Sequence, residues 1–125
     1  MEKSPRVLIV EDEPILALEL KEDLQDLGYE VSDVVADGDM VLHSFLRNRP
    51  DVILMDIKLH GFRDGIDSAK QIRGFYQTPI VYLSSYSESD MGERLLRTAP
   101  YRFLQKPYEL PRLHETITSA IQGPQ

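Results

Sequence analysis

Asp51-Val52-Ile53-Leu54-Met55-Asp56 is a continuous apolar run closed at each end by an aspartate. Such a run suits a strand buried on both faces, as in a parallel sheet; a strand with one wet face would alternate apolar and polar residues. Working outward, comparable runs occur at Val7 to Val10 and Val31 to Val35 on one side. Ile80 to Leu83 and a weaker Phe103-Leu104 lie on the other. The intervening stretches carry helical spacing. Leu16, Leu20, Leu24 and Leu27 share a face, with Gly28 as a C-terminal stop. Val41 with Phe45, and Leu42 with Leu46, mark a second helix ending before Pro50. Ile66, Ala69 and Ile72 mark a third, Met91 with Leu95 a fourth, and Leu110, Leu113, Ile117 and Ile121 a fifth. Strands alternating with helices predict right-handed crossovers and an α/β fold with helices on both faces of the sheet.

The 125 residues fit one domain, with a core from about residue 6 to 122 and loose ends at the first few residues and at Gly123-Pro124-Gln125. A net charge of -7 argues against direct nucleic-acid binding, which needs a basic surface. The absence of cysteine removes disulfides, zinc-thiolate sites and thiol catalysis. His43, His60 and His114 are scattered without metal-ligand spacing. The early apolar run is far too short for a signal segment or a membrane span, so a cytoplasmic protein is expected.

Sites in open α/β sheets form at the carboxyl ends of strands, near a reversal in strand order. The residues there are Glu11, Asp12 and Glu13 after the first run, Asp56 after the third, Ser84 after the fourth and Lys106 after the fifth. Carboxylates ~4 Å apart repel by about 4 kcal/mol per pair at an effective dielectric near 20, so a cluster of them needs a cation or altered protonation. Mg²⁺ suits it, because it prefers oxygen ligands and keeps waters that a phosphate oxygen can replace. An aspartate can also attack phosphorus, with a cation, a lysine and a hydroxyl neutralising the phosphoryl oxygens.

Each piece also has a plainer account. Glu11 to Glu13 before Pro14 suit a helix start, Ser84-Ser85 suit a cap, Asp56 suits a turn, Lys106-Pro107 suits the surface and Phe103 suits the core. Their joint placement at successive strand ends distinguishes a site from a set of coincidences.

The ordered set Val7-Leu8-Ile9-Val10-Glu11-Asp12-Glu13-Pro14, then Asp51 to Asp56, then Pro79 through Ser84-Ser85, then Lys106-Pro107 resembles the response-regulator receiver family of two-component and phosphorelay signal transduction. The resemblance covers essentially the whole chain. It implies a doubly wound, flavodoxin-like sheet of order 2-1-3-4-5 and a phosphoacceptor switch rather than a conventional enzyme. Asp56 matches the phosphoacceptor. Asp12 matches a direct ligand of Mg²⁺ or Mn²⁺, with Glu11 acting through a metal-bound water and the backbone carbonyl of Lys58 completing the set. Lys106 matches the phosphate-pairing lysine, Ser84 the switch hydroxyl and Phe103 the switch aromatic. The Lys106–Pro107 peptide is expected to be cis. The implied phosphodonor is a sensor histidine kinase or a histidine phosphotransfer protein. The implied output, and any homodimer, uses the face of the fourth helix, fifth strand and fifth helix. No output domain follows Ile121, so the chain reads as a stand-alone receiver or a piece of a longer regulator.

The sequence departs from the family pattern in four places. Glu11 stands for the commoner aspartate, and the stretch from Asp56 to Asp64-Gly65 is one residue longer than in many receivers, with His60 where proline is frequent. Pro100 and Tyr101 precede the switch aromatic where small or acidic residues are usual. Lys58 and Tyr86 flank the site at positions where receivers tune dephosphorylation. Two rivals remain at this level. A phosphatase-like catalyst using Asp-x-Asp would need an acid where Lys58 stands, and a nucleotide enzyme would need a Gly-rich loop after an early strand. A degenerate receiver would lack part of the set Asp12, Asp56, Ser84 and Lys106, all of which are present.

Overall fold

The computed structural model describes residues 4–59 and 61–123; His60 and the outermost termini fall outside the described residues. The elements run β1 (Arg6–Val10), α1 (Pro14–Asp26), β2 (Glu30–Val35), α2 (Val41–Asn48), β3 (Val52–Asp56), α3 (Gly65–Arg73), β4 (Ile80–Ser84), α4 (Glu88–Leu96), β5 (Arg102–Gln105) and α5 (Leu110–Gln122), with a 3-10 turn at Gly38–Met40 before α2. All strand pairings are parallel and the sheet order is β2-β1-β3-β4-β5. Alternate strand residues point to opposite faces and build two cores. Leu8, Val10, Ile53, Met55, Ile80 and Tyr82 pack with residues of α2, α3 and α4. Val7, Ile9, Val52, Leu54, Val81, Leu83 and Leu104 pack with residues of α1 and α5. The sheet is therefore doubly wound, as the alternation of runs predicts.

The three central strands are buried almost throughout, in keeping with their continuous apolar sequence. β2 is different. It lies at the sheet edge, most of its residues are part-exposed, and Val34 is exposed. A strand with one neighbour is not sandwiched, so the expectation of burial on both faces fails there.

The helix faces also differ in detail from the spacing argument. In α1 the buried residues are Ala17, Leu20 and Leu24, while Leu16 is 46% exposed and Leu27 lies beyond the last helical turn. At 100° per residue, Ala17 falls nearer the centre of the Leu20–Leu24 stripe than Leu16 does. Gly28 follows with φ +97°, the left-handed stop expected of it. Val41 and Phe45 are buried in α2 but Leu46 is exposed; Leu113 and Ile117 are buried in α5 but Leu110 and Ile121 are not. Ile66, Ala69 and Ile72 of α3 are all fully buried.

Candidate functional site

The reversal in strand order falls between β1 and β3, and their carboxyl ends open a cleft there. Val10 pairs with Met55, so the residues after it, Glu11 and Asp12, stand beside Asp56. Asp56 and Ser84 are the last residues of their strands rather than the first residues beyond, and Asp56 pairs with Leu83. The cleft is lined by Asp12, Asp56, Lys58, Ser84, Tyr86 and Lys106.

Carboxylate oxygens of Glu11, Asp12 and Asp56 lie within 4.8 Å of one another. Lys106, at the end of β5, reaches back 95 residues to Glu11 Oε1 at 3.4 Å and also touches Asp56 Oδ2 at 3.3 Å. The second Asp56 oxygen accepts the Lys58 amide at 3.3 Å. Both oxygens of Asp56 are therefore oriented, one by an ammonium and one by the backbone. Three clustered carboxylates beside Lys106 make an oxygen-rich, acidic site of the kind a divalent cation suits. Burial and the neighbouring Asp56 carboxyl raise the Glu11 pKa, against the pull of the Glu13 amide and Lys106. A shared proton or a bound cation relieves that repulsion.

Glu11 is the most buried of the three acids, at 7% exposure, and its Oε2 accepts the Glu13 amide at 3.1 Å. Glu13 occupies the N-cap position of α1 with Pro14 opening the helix, so the triplet does stand at a helix start, but Glu13 makes no side-chain capping bond. Ser84 is buried and accepts the Tyr86 amide at 3.0 Å; Ser87, three residues on, is the N-cap of α4. Phe103 is half-buried and packs against the core cluster that contains Tyr82, its partner across the β4–β5 register. Lys58 and Tyr86 meet over the cleft, with the ammonium bonded to the phenol oxygen at 2.5 Å and 4.5 Å from the ring centre. The Lys106–Pro107 peptide is cis, and so is Ala99–Pro100, which the sequence reading did not single out.

The structure adds a residue whose role spacing alone does not expose. Gly65 opens α3 directly against the end of β3: its amide donates to Ile57 O at 2.7 Å, and a Cβ built on it would lie 2.2 Å from the Asp56 carbonyl oxygen. The signal available in the sequence was the pair Asp64-Gly65, an N-cap residue followed by a glycine at the first helical position.

This fold, with acids and a lysine at the carboxyl edge beside the strand reversal, defines a receiver domain. The sequence matches the response regulator receiver domain family over residues 7–118, and the chain belongs to that family. Among its relatives, the transcriptional regulatory protein PdtaR of Mycobacterium tuberculosis is 35% identical over 116 residues, covering 93% of this chain and 56% of that protein. The transcriptional regulatory protein BaeR of Escherichia coli is 36% identical over 107 residues, covering 86% of this chain and 44% of BaeR. The chain thus spans about half the length of these relatives. Among solved structures, the signal receiver domain of a modulated diguanylate cyclase from Desulfovibrio desulfuricans superposes with a TM-score of 0.87 at 34% identity, covering 96% of this chain and 95% of that one. The receiver domain of the sensor histidine kinase PA1611 from Pseudomonas aeruginosa, solved with magnesium coordinated in its active-site cleft, has a TM-score of 0.85 at 30% identity, covering 96% and 99%. No helix among the described residues is long and apolar enough to cross a membrane.

Proposed function

We propose that this receiver is a Mg²⁺-dependent phosphorylation switch with Asp56 as its acceptor. The observation that carries the reading is the Asp56 carboxylate, held by Lys106 on one oxygen and by the Lys58 amide on the other, within a trio of acids. One Asp56 oxygen attacks phosphorus, the bond from phosphorus to the donor breaks, and its electron pair leaves with the donor group, such as the imidazole of a phosphohistidine. Lys106 exchanges a carboxylate for a phosphoryl oxygen, and the Ser84 hydroxyl donates to another. Asp12 and Asp56, with the Lys58 carbonyl, would hold Mg²⁺ or Mn²⁺ directly, and Glu11 would act through a coordinated water. When bound, the ion supplies charge neutralisation for the entering phosphoryl oxygens.

Movement of Ser84 towards the phosphoryl group opens space beside β5, and Phe103 turns into it. The α4-β5-α5 face then changes shape, and a partner with higher affinity for the new shape reads the signal. A sensor histidine kinase or histidine phosphotransfer protein is the expected donor. The receiver core, residues 6 to about 122, would act in the cytoplasm on an output partner or an attached domain, or as a homodimer through that face, without contacting nucleic acid itself.

Incubation with acetyl phosphate tests this reading by intact mass. The wild-type chain gains one phosphate in the presence of Mg²⁺ and none after chelation with EDTA. A metal-independent gain, or no gain under either condition, would reject it. The Lys58–Tyr86 contact adds a second expectation. With this pair over the cleft, water has restricted access to the acyl phosphate, so Tyr86→Ala loses phosphate roughly threefold or more faster once the donor is removed. A rate equal to wild type would show that Tyr86 is no barrier.

A further inference from the structure

Helix α4 is jointed. Gly92 sits inside it at φ 52° and ψ -131°, a backbone conformation that residues with a Cβ rarely adopt. A Cβ built there would meet nothing within 4 Å, so glycine is demanded by the backbone and not by crowding.

The two halves of α4 are held by different parts of the molecule. Before the joint, Glu88 accepts a hydrogen bond from the Tyr101 hydroxyl at 2.6 Å, next to the start of β5. After it, the Arg94 guanidinium forks onto the first turn of α3. Its Nη1 lies 2.9 Å from Asp64 Oδ2, and its Nη2 donates to Asp64 Oδ1 at 2.9 Å and Asp67 Oδ1 at 3.1 Å. The same two acids cap α3 reciprocally, Asp64 accepting the Asp67 amide at 2.9 Å and Asp67 accepting the Asp64 amide at 3.2 Å. Arg94 therefore grips the pair of carboxylates that set where α3 begins.

That beginning rests on the acceptor strand. Gly65 follows Asp64 and packs against the Asp56 carbonyl, closer than any Cβ would permit, while the Lys58 amide holds the Asp56 side chain. Asp56, Gly65, Asp64 and Arg94 form one contiguous line from the acceptor to α4.

We infer that Arg94 is a latch: it holds the second half of α4 against α3 in the unphosphorylated domain, and phosphorylation of Asp56 displaces the start of α3 and releases it, with Gly92 as the joint. This rests on Asp56 being the acceptor. The latch uses neither Ser84 nor Phe103, so it is a second route from the site to α4. Its strength suits a switch. The Arg94, Asp64 and Asp67 side chains are 45%, 29% and 41% exposed, and ion pairs in such surroundings are weak enough to open. Forked guanidinium–carboxylate geometry is also lost on small displacements.

Amide hydrogen exchange on the whole chain, with intact mass recorded in parallel, tests the latch. After acetyl phosphate and Mg²⁺, exchange in residues 93 to 97 of the wild type rises on the order of threefold. Arg94→Gln shows the raised exchange without phosphate, and phosphorylation then adds little. β3 and β4 keep wild-type protection in both, which separates unlatching from unfolding. Should Arg94→Gln lose strand protection, the wild-type comparison alone decides. A phosphate gain with unchanged exchange in 93 to 97 overturns the latch and leaves the acceptor reading standing; no phosphate gain overturns both.

Discussion

Asp56→Asn gains no phosphate from acetyl phosphate under conditions that phosphorylate the wild type. The substitution keeps the size and shape of the side chain, and its one remaining oxygen can still accept from either Lys106 or the Lys58 amide, which hold separate oxygens of Asp56. It removes the anionic nucleophile and one of the three charges that draw the cation. We expect the rate of gain to fall at least ~100-fold, equivalent to about 2.7 kcal/mol of lost transition-state stabilisation. Intact mass, followed by a peptide map of any residual product, measures it. A gain that survives would move the acceptor to a neighbouring acid, Asp12 being within the same cluster, and would end the assignment of Asp56.

Gly65→Ala is expected to cost a large loss of stability for a single methyl group. The added Cβ would lie 2.2 Å from the Asp56 carbonyl oxygen, 2.9 Å from Met55 Cγ and 3.0 Å from the Asp56 carbonyl carbon. Two of these are backbone atoms of a strand paired on both sides, so they cannot yield as the end of a flexible side chain would. Overpacking of this kind costs ~1–3 kcal/mol, and the rigidity of the struck backbone places Gly65→Ala near the upper end, at about 3 kcal/mol. Urea denaturation measures the loss. Because relief requires α3 to move away from β3, phosphate gain should fall together with stability. Unchanged stability would show that α3 does not press on β3, and would count against the Arg94 latch.

Both predictions concern the same few ångströms, yet they were not equally readable from the chain. The identity of Asp56 as a site residue follows from local pattern. An apolar run buries a strand, the strand must end, and an acid at that end faces the cleft that every open α/β sheet forms there. The same reasoning locates Glu11, Asp12, Ser84 and Lys106, because each is tied to the end of its own strand. Gly65 carries no such mark. Its importance comes from an approach of α3 to β3 that no periodicity encodes.

Backbone periodicities are local, two residues for strands and about 3.6 for helices, and the sequence carries enough of them to mark each element. The order of strands and helices, the doubly wound class and the strand-end location of the chemistry were legible for that reason. Three-dimensional packing decides what depends on partners far apart in the chain. Lys106 meets Glu11 across 95 residues, and Glu11 is the most buried acid of the cluster. β2 is exposed because it lies at the edge, and Leu16 and Leu46 are exposed because their helices present a neighbouring stripe to the sheet. Arg94 reads as an ordinary surface cation until α4 bends at Gly92 and sets it over Asp64 and Asp67. Hydrophobic burial is non-directional and follows the local pattern, whereas ion pairs and close backbone contacts exist only where the completed fold brings two distant segments to within a few ångströms.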